Sequence, residues 1–585
     1  MAAPLAVSMP ATAQAAPAPA GCPAPYPVAE VRDGMTGWGL TVSKGTTPER
    51  FTVKVQGVLK DGIAPGLDMI LAEAQSPALD KAESIWAGMS GSPVYTEDGR
   101  LLGAVGYGFS GGSLLAGITP AKAMYDILNK PGQARTARVP ERVKLPASLR
   151  GTLVKRGVVS ARAAEAGASQ LPLPLAVSGL GQKRMNALNK RLAQRGIKVR
   201  MVRAGAASGR PAQAGAVVPG GNFGVLQSYG TVTSGAIGTT TAVCDGRALA
   251  FGHAYFQGFG PLPGGPVRLT AVTGEALAVV RDPAFGAFKL ANFGGIAGTL
   301  TQDRHAGVAA TLGAGPAATP IRSRATADGA TRNGVTHVNR TQDVPDLAAA
   351  QLWADLDQAR DQLTAGSSTT TWKISGVAAG KPFQLTLGNR FSDQEDATYR
   401  AGTDIAAKLT ALANNPYAAV RFTGLEVTSS ANSSYGKYTL RRLQVKRNGR
   451  WVPFNPDNAL TVPAGKPLAI RAVLAAYRGP DKTVDLQFAV PAKYKGKSGT
   501  LSLGGGLDLS ESALSCLTGE PGSCPAHLRA GNFADLLTKL RAIPRDDELI
   551  SRFALGSGKT ASLVTQRRQL PQIVGGEINV DINVR

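Results

Sequence analysis

The chain has 585 residues, of which 43% are hydrophobic, 18% charged and 6% aromatic, with 71 Gly and 38 Pro. Such a length predicts about three to five domains, each able to bury a core, and a mean hydropathy near zero excludes wholesale disorder. No run of about 18 apolar residues occurs, so no transmembrane helix is expected. The formal charge is +24, with 64 Lys and Arg against 40 Asp and Glu, which raises the question of an anionic partner. Residues 131–210 hold 17 of the basic side chains and two acids, and contain no Phe, Tyr or Trp. Nucleic-acid binding would want aromatics among those charges. The stretch reads instead as a solvated basic surface with a loose attraction to an anionic cell envelope.

Residues 1–33 combine Ala-x-Ala sites such as Ala11-Thr12-Ala13 with an Ala/Pro-rich run, and read as the remains of a secretory signal followed by a linker. A secreted, periplasmic or cell-envelope-associated protein is therefore expected. Cys516 and Cys524 enclose a Gly/Pro-bearing loop suited to a local disulfide. Cys22 and Cys244 are either a second bridge or two unrelated thiols, and Cys22 after Pro19-Ala20-Gly21 also raises a lipidation site.

Residues 34–128 form a first β block. Candidate strands fall at 49–60, 67–74, 92–97, 100–109 and 113–119, with Glu97-Asp98-Gly99 as a hairpin signal, and Thr119-Pro120 opens a short amphipathic helix. Residues 129–215 are a basic linker carrying a small βαβ insert, whose helix shows the apolar stripe Met185, Leu188 and Leu192. A second β block at 216–315 has candidate strands at 222–230, 231–243, 247–256, 267–280, 287–302 and 306–312. Beyond it come an α+β region at 316–415 with helices near 345–363 and 398–413, an antiparallel β-sandwich at 416–510, and a tail at 511–585 with the disulfide loop. The fold class is mainly β: two six-stranded barrels, the βαβ insert between them, and a C-terminal α+β region with a β-sandwich.

The strongest chemical signal is Gly88-Met89-Ser90-Gly91-Ser92-Pro93-Val94, followed by Asp98-Gly99-Arg100-Leu101-Leu102-Gly103-Ala104-Val105. Glycine two residues before a serine lets the backbone turn so that the amides of Gly88 and Ser90 point into one small volume, an oxyanion hole. A nucleophilic serine needs a base, and histidine is the usual one near neutral pH. Of His253, His305, His337 and His527, only His253 ends a strand of the second β block, in Phe251-Gly252-His253.

These residues resemble the SpoIVB-type sporulation serine peptidases. The likeness rests on Gly88–Val94 with its Asp-Gly-Arg-Leu-Leu-Gly-Ala-Val sequel, on Phe251-Gly252-His253, and on Phe288-Lys289-Leu290 and Gly298-Thr299-Leu300-Thr301. It covers about 34–128 and 216–315, and implies a chymotrypsin-like double barrel with Ser90 as nucleophile and His253 as general base, acting on a protein or peptide substrate. Three departures stand beside it. The serine segment precedes the histidine segment, the reverse of the sporulation enzyme; no PDZ module is recognisable; and the acid of the triad does not transfer. Asp303, after the 298–301 strand, and Asp80, upstream of the serine loop, are the candidates, with Asp303 preferred. Met89 before the nucleophile argues against activation through an acidic residue there, and the uncharged Ser84 argues for a small or apolar primary pocket.

Other motifs carry less. Gly108-Phe109-Ser110-Gly111-Gly112 satisfies the nucleophile-elbow pattern but leads into turn and strand rather than helix. Gly556–Thr560 imitates the end of a P-loop without its first glycine. The histidines lack metal-ligand spacing, so no metal and no cofactor are expected. The competing class is a catalytically inactive double-barrel scaffold or binding protein of the cell envelope.

Overall fold

The computed structural model describes residues 21–130, 142–197, 199–255, 267–283, 285–518, 529–556 and 561–585. They divide into two compact units, one running to Gly179 and resuming at Met185–Ala317, the other comprising Leu180–Arg184 and Ala318–Arg585.

The first unit begins with β1 (Thr36–Thr41), β2 (Glu49–Ala64), β3 (Leu67–Gln75), β4 (Pro93–Thr96), β5 (Leu101–Phe109) and β6 (Leu115–Pro120). They pair antiparallel in the order β1-β2-β3-β6-β5-β4, and β4 pairs back onto β1, so a six-stranded barrel closes. Alternation fixes its inside. In β2, Phe51, Val53 and Val55 are buried while Thr52 and Lys54 are exposed, and the buried set meets Ile70, Val94, Leu102, Val105 and Ile118. Strand β5 is buried along its whole length. Its Leu101 and Ala104 turn outward to pack with Leu249 and Ala309 of the following sheet. Helix α1 (Pro77–Ala82), capped by the Ser76 hydroxyl, leads into the loop that carries Ser90. Helix α2 (Ala121–Leu128) buries Ala121, Met124, Tyr125 and Ile127 in the same cluster as Leu249 and Ala309.

The insert contributes β7 (Arg142–Val143), β8 (Ala168–Gln170), β9 (Leu175–Ser178) and β10 (Met201–Arg203). Strands β9 and β10 are parallel, and the helix Gln182–Gln194 lies between them in sequence. Strand β8 pairs antiparallel with β5 and with β7. Nothing in the weakly patterned stretch 131–170 predicts it.

A second sheet follows: β11 (Asn222–Gly230), β12 (Thr233–Cys244), β13 (Arg247–Ala250), β14 (Leu269–Asp282), β15 (Gly286–Arg304) and β16 (Gly307–Leu312). Its antiparallel pairings run β11-β12-β13-β16-β15-β14 and return to β11, giving a ring-like sheet. Cys22, just ahead of the barrel, is disulfide-bonded to Cys244 at the end of β12, with 5.0 Å between Cα atoms and a sequence separation of 222. Of the open readings for these two cysteines, the bridge is what the structure contains. Cys516 is also disulfide-bonded, but Cys524 and the signal-like residues 1–20 lie outside the described residues.

In the second unit, strands Thr319–Ala327, Ala330–Val338, Gly366–Ala378, Lys381–Asp393 and Val420–Asn432 are flanked in sequence by helices Val344–Arg360 and Tyr399–Ala413. Two five-stranded sheets then share one apolar core, with Leu443, Ile470 and Leu486 from one and Leu501, Phe553 and Val580 from the other. Among the described residues no helix is long and apolar enough to cross a membrane.

Because the Cys22–Cys244 bridge closes so long a loop, removing it should cost the first unit about 2–5 kcal/mol. The check is the urea unfolding midpoint of the Cys22→Ser/Cys244→Ser double variant against wild type.

Candidate active site

Ser90 sits in the loop between α1 and β4, and His253 lies three residues beyond β13. The serine loop turns at Gly88 (φ +99°) and Gly91 (φ +95°), a conformation that side-chain-bearing residues rarely adopt. On the barrel side the Gly91 amide donates to Val105 O at 2.7 Å and the Val105 amide to Ser92 O at 3.0 Å. From the second sheet, β12 holds the same loop: the Thr239 amide donates to Ser90 O (2.8 Å), the Thr239 hydroxyl to Gly88 O (3.0 Å) and the Thr241 hydroxyl to Gly91 O (2.7 Å). So close an approach is open only to glycine. A Cβ on Gly91 would stand 2.0 Å from Thr239 O, and one on Gly106 would stand 2.5 Å from Gly252 O.

The histidine arrives through a strained turn. Phe251 has φ +67° and Gly252 φ +62°, and the Thr119 hydroxyl donates to Gly252 O at 2.6 Å. A left-handed bulky residue is costly and marks a backbone held for a purpose. The ring of Phe251 lies nearly parallel to that of His253, and Tyr107 approaches His253 edge-on.

Ser90 Oγ and His253 Nε2 are 2.8 Å apart, and His253 Nδ1 is 3.0 Å from Ala254 O. A carbonyl only accepts, so Nδ1 carries the hydrogen and Nε2 keeps its lone pair toward the Ser90 hydroxyl. Burial pushes the imidazole pKa down to about 4, with the Ala254 carbonyl opposing that shift, so the ring is neutral at pH 7. Among the described residues, neither the Gly88 nor the Ser90 amide donates a hydrogen bond. Unpartnered main-chain amides beside a serine are what an oxyanion would use.

The expected acid is not on the ring. Asp303 is buried, but its Oδ1 accepts the Tyr255 amide at 2.8 Å, which ties down the backbone after His253. Asp80 is exposed on α1. Neither carboxylate is hydrogen-bonded to His253 among the described residues; the Ala254 carbonyl takes the place that Asp303 or Asp80 was expected to fill. This local main-chain acceptor has no signature in residue spacing.

Lys289, whose segment Phe288-Lys289-Leu290 gives no sign of a role for its side chain, stands behind the serine loop. It is 2% exposed, its Nζ donates to Asn222 Oδ1 at 2.9 Å and lies 3.5 Å from the Thr239 hydroxyl oxygen. Burial pushes its pKa down to about 7, against a weaker opposing pull from Glu49. Its amide donates to Ala87 O (2.8 Å) and the Ala87 amide to Ala287 O (2.9 Å), so β15 supports the residue before Gly88.

Ser90 and His253 are each 0% exposed. The Gly108–Gly112 motif is the β5–β6 turn and leads into a strand, while Ser557–Thr560 and His527 lie outside the described residues. His305 lies in the β15–β16 turn and His337 belongs to the second unit. Among the described residues no group of three or more His, Cys, Asp or Glu is placed to hold a metal ion. No protein-family profile, curated protein or solved structure matches the chain.

Two outcomes follow from this geometry. Thr239→Val keeps the shape but strips a buried carbonyl of its donor, and should lower stability by about 1–3 kcal/mol in urea unfolding. His253 keeps its proton off in the fold down to about pH 4, whereas an unfolded histidine gains one near 6.5. Stability held above pH 6.5 is therefore lost as pH falls toward 4, by an amount on the order of 3 kcal/mol. His253→Gln should show a shallower loss than wild type when unfolding free energies at pH 7 and pH 4 are compared.

Proposed function

We propose that the protein is an exported serine endopeptidase on a chymotrypsin-like double barrel, related to the SpoIVB-type peptidases with the order of its two halves exchanged. Ser90 Oγ attacks the carbonyl carbon of a peptide bond while its proton passes to His253 Nε2. The tetrahedral oxygen is held by the Gly88 and Ser90 amides. His253 then gives the proton to the leaving nitrogen, the C–N bond breaks, and an acyl ester on Ser90 remains. Water, deprotonated by the same imidazole, attacks that ester and restores the hydroxyl. The observation that carries this reading is the 2.8 Å contact between Ser90 Oγ and a neutral His253 whose other nitrogen is fixed by Ala254 O. The Cys22–Cys244 bridge supports an oxidising compartment.

A second reading is favoured by the complete burial of the pair together with the lack, among the described residues, of a carboxylate partner for His253. On that reading the protein is an inactive scaffold of the cell envelope.

A serine-directed fluorophosphonate separates the two. The peptidase reading expects covalent labelling of wild type on the peptide containing residue 90, none with Ser90→Ala, and a rate lower by about 10²–10⁴ with His253→Ala. Equal labelling of wild type and Ser90→Ala removes the nucleophile assignment, and no labelling of wild type favours the scaffold.

A further inference from the structure

Strand β5 parts from β4 after Ala104. Beyond that point its edge meets first the Ser90 loop, at Val105, and then β8, with Tyr107 opposite Gln170, Gly108 opposite Ser169 and Phe109 opposite Ala168. The same register continues by one bond more, from the Leu171 amide to Gly106 O at 2.9 Å. Because the two strands are antiparallel, each step from Ala168 to Leu171 brings the chain closer to the serine loop. Leu171 stops one residue short of where β5 is bonded to that loop.

Side chains leave this short strand in two directions. Gln170 Nε2 donates at 2.8 Å to Ala254 O, the carbonyl that also holds His253 Nδ1. Leu171 enters an apolar cluster with Ile85, Trp86, Met89, Val105 and Ala116, beside the serine loop. A Cβ on Gly108 would stand 2.9 Å from Leu171 Cδ2, so glycine at 108 makes room for that side chain. A segment of the chain itself thus uses the open strand edge, touches the histidine's support and fills the apolar wall next to Ser90. An extended peptide recognised by strand addition would need all three.

We infer that Ala168–Leu171 occupies the place of a substrate strand and keeps the Ser90–His253 pair covered. The substrate that replaces it is an extended polypeptide with a leucine-sized apolar side chain on the acyl side of the cut bond. This rests on the peptidase reading above. The strand is itself resistant to cutting. The bond after Leu171 leads to Pro172, whose ring sits on the nitrogen that His253 would have to protonate.

The test uses the full chain, a fluorophosphonate probe, and the peptide nitroanilides Ala-Ser-Gln-Leu and Ala-Ser-Gln-Arg. Leu171→Asp puts a charge into the apolar cluster and drives the strand off. It should raise the rate of Ser90 labelling by about tenfold, the change expected when a strand docked about nine-tenths of the time is released. The same variant should cleave the leucine peptide at least about tenfold faster than the arginine peptide; the opposite preference overturns the substrate class. Should Leu171→Asp not fold, Pro172→Ala carries the test, since Pro172 is exposed and its replacement alters only the leaving side. Ser90 Oγ then bonds to the Leu171 carbonyl carbon, the proton goes by way of His253 to the nitrogen of residue 172, and water later frees the Leu171 carboxylate. A new N-terminus at position 172, absent when Ser90→Ala is added, supports the inference. If wild type labels at Ser90 while Leu171→Asp is no faster and Pro172→Ala stays intact, the inference falls and the peptidase reading stands. If neither wild type nor these variants label, both fall.

Discussion

Main chain meets main chain where the six-stranded barrel touches the ring-like sheet, and the candidate site depends on that contact. Gly91 lies against Thr239, Gly106 against Gly252, and Gly238 against Phe251 and Ser90, each so close that a Cβ would stand under 3 Å from a neighbouring atom. A methyl group at any of these positions would hold the sheets apart, and a hydrogen bond tolerates only a few tenths of an ångström before it weakens. The 2.8 Å contact between Ser90 and His253 joins one sheet to the other. Its length is therefore set by the glycines around it as much as by the two residues that make it.

The same contact excludes water, and this sets the protonation states. Burial alone keeps His253 neutral and lowers the proton affinity of Lys289. Among the described residues no carboxylate is bonded to His253, and the Ala254 carbonyl both orients the ring and fixes its tautomer. Asp303 acts at one remove, through the Tyr255 amide, on the backbone that follows the histidine. Lys289 likewise works through hydroxyl and amide groups, since its neighbour Thr239 is what holds Gly88 O.

Much of this was legible because it is local. The Gly88–Val94 turn and the two runs of short strands appear as spacing and alternation, and β2 and β5 begin within a residue of where alternation puts them, whereas the strand expected over 247–256 ends at Ala250 and His253 follows it in a turn. What stayed hidden is tertiary. The partner of His253 Nδ1 is a main-chain carbonyl, which every residue carries. Thr239 and Lys289 matter only because β12 and β15 pass behind the serine loop. Strand β8 has three residues and no period of its own, and exists because β5 has an unfilled edge. The pairing of Cys22 with Cys244 stood beside unrelated thiols and a lipidated Cys22, and only the folded proximity of the barrel's entry to the end of β12 selects it.

That bridge has a topological meaning for the whole first unit. It ties the residues ahead of the barrel to β12, so the barrel and all of the insert lie inside one covalent ring. A single break anywhere between residues 22 and 244, in the insert above all, would open the ring without releasing either piece. The serine-bearing and histidine-bearing parts would remain one molecule, at the high effective concentration that a tether imposes. The chain can thus lose the continuity of its backbone and keep its two halves together, for as long as its surroundings stay oxidising.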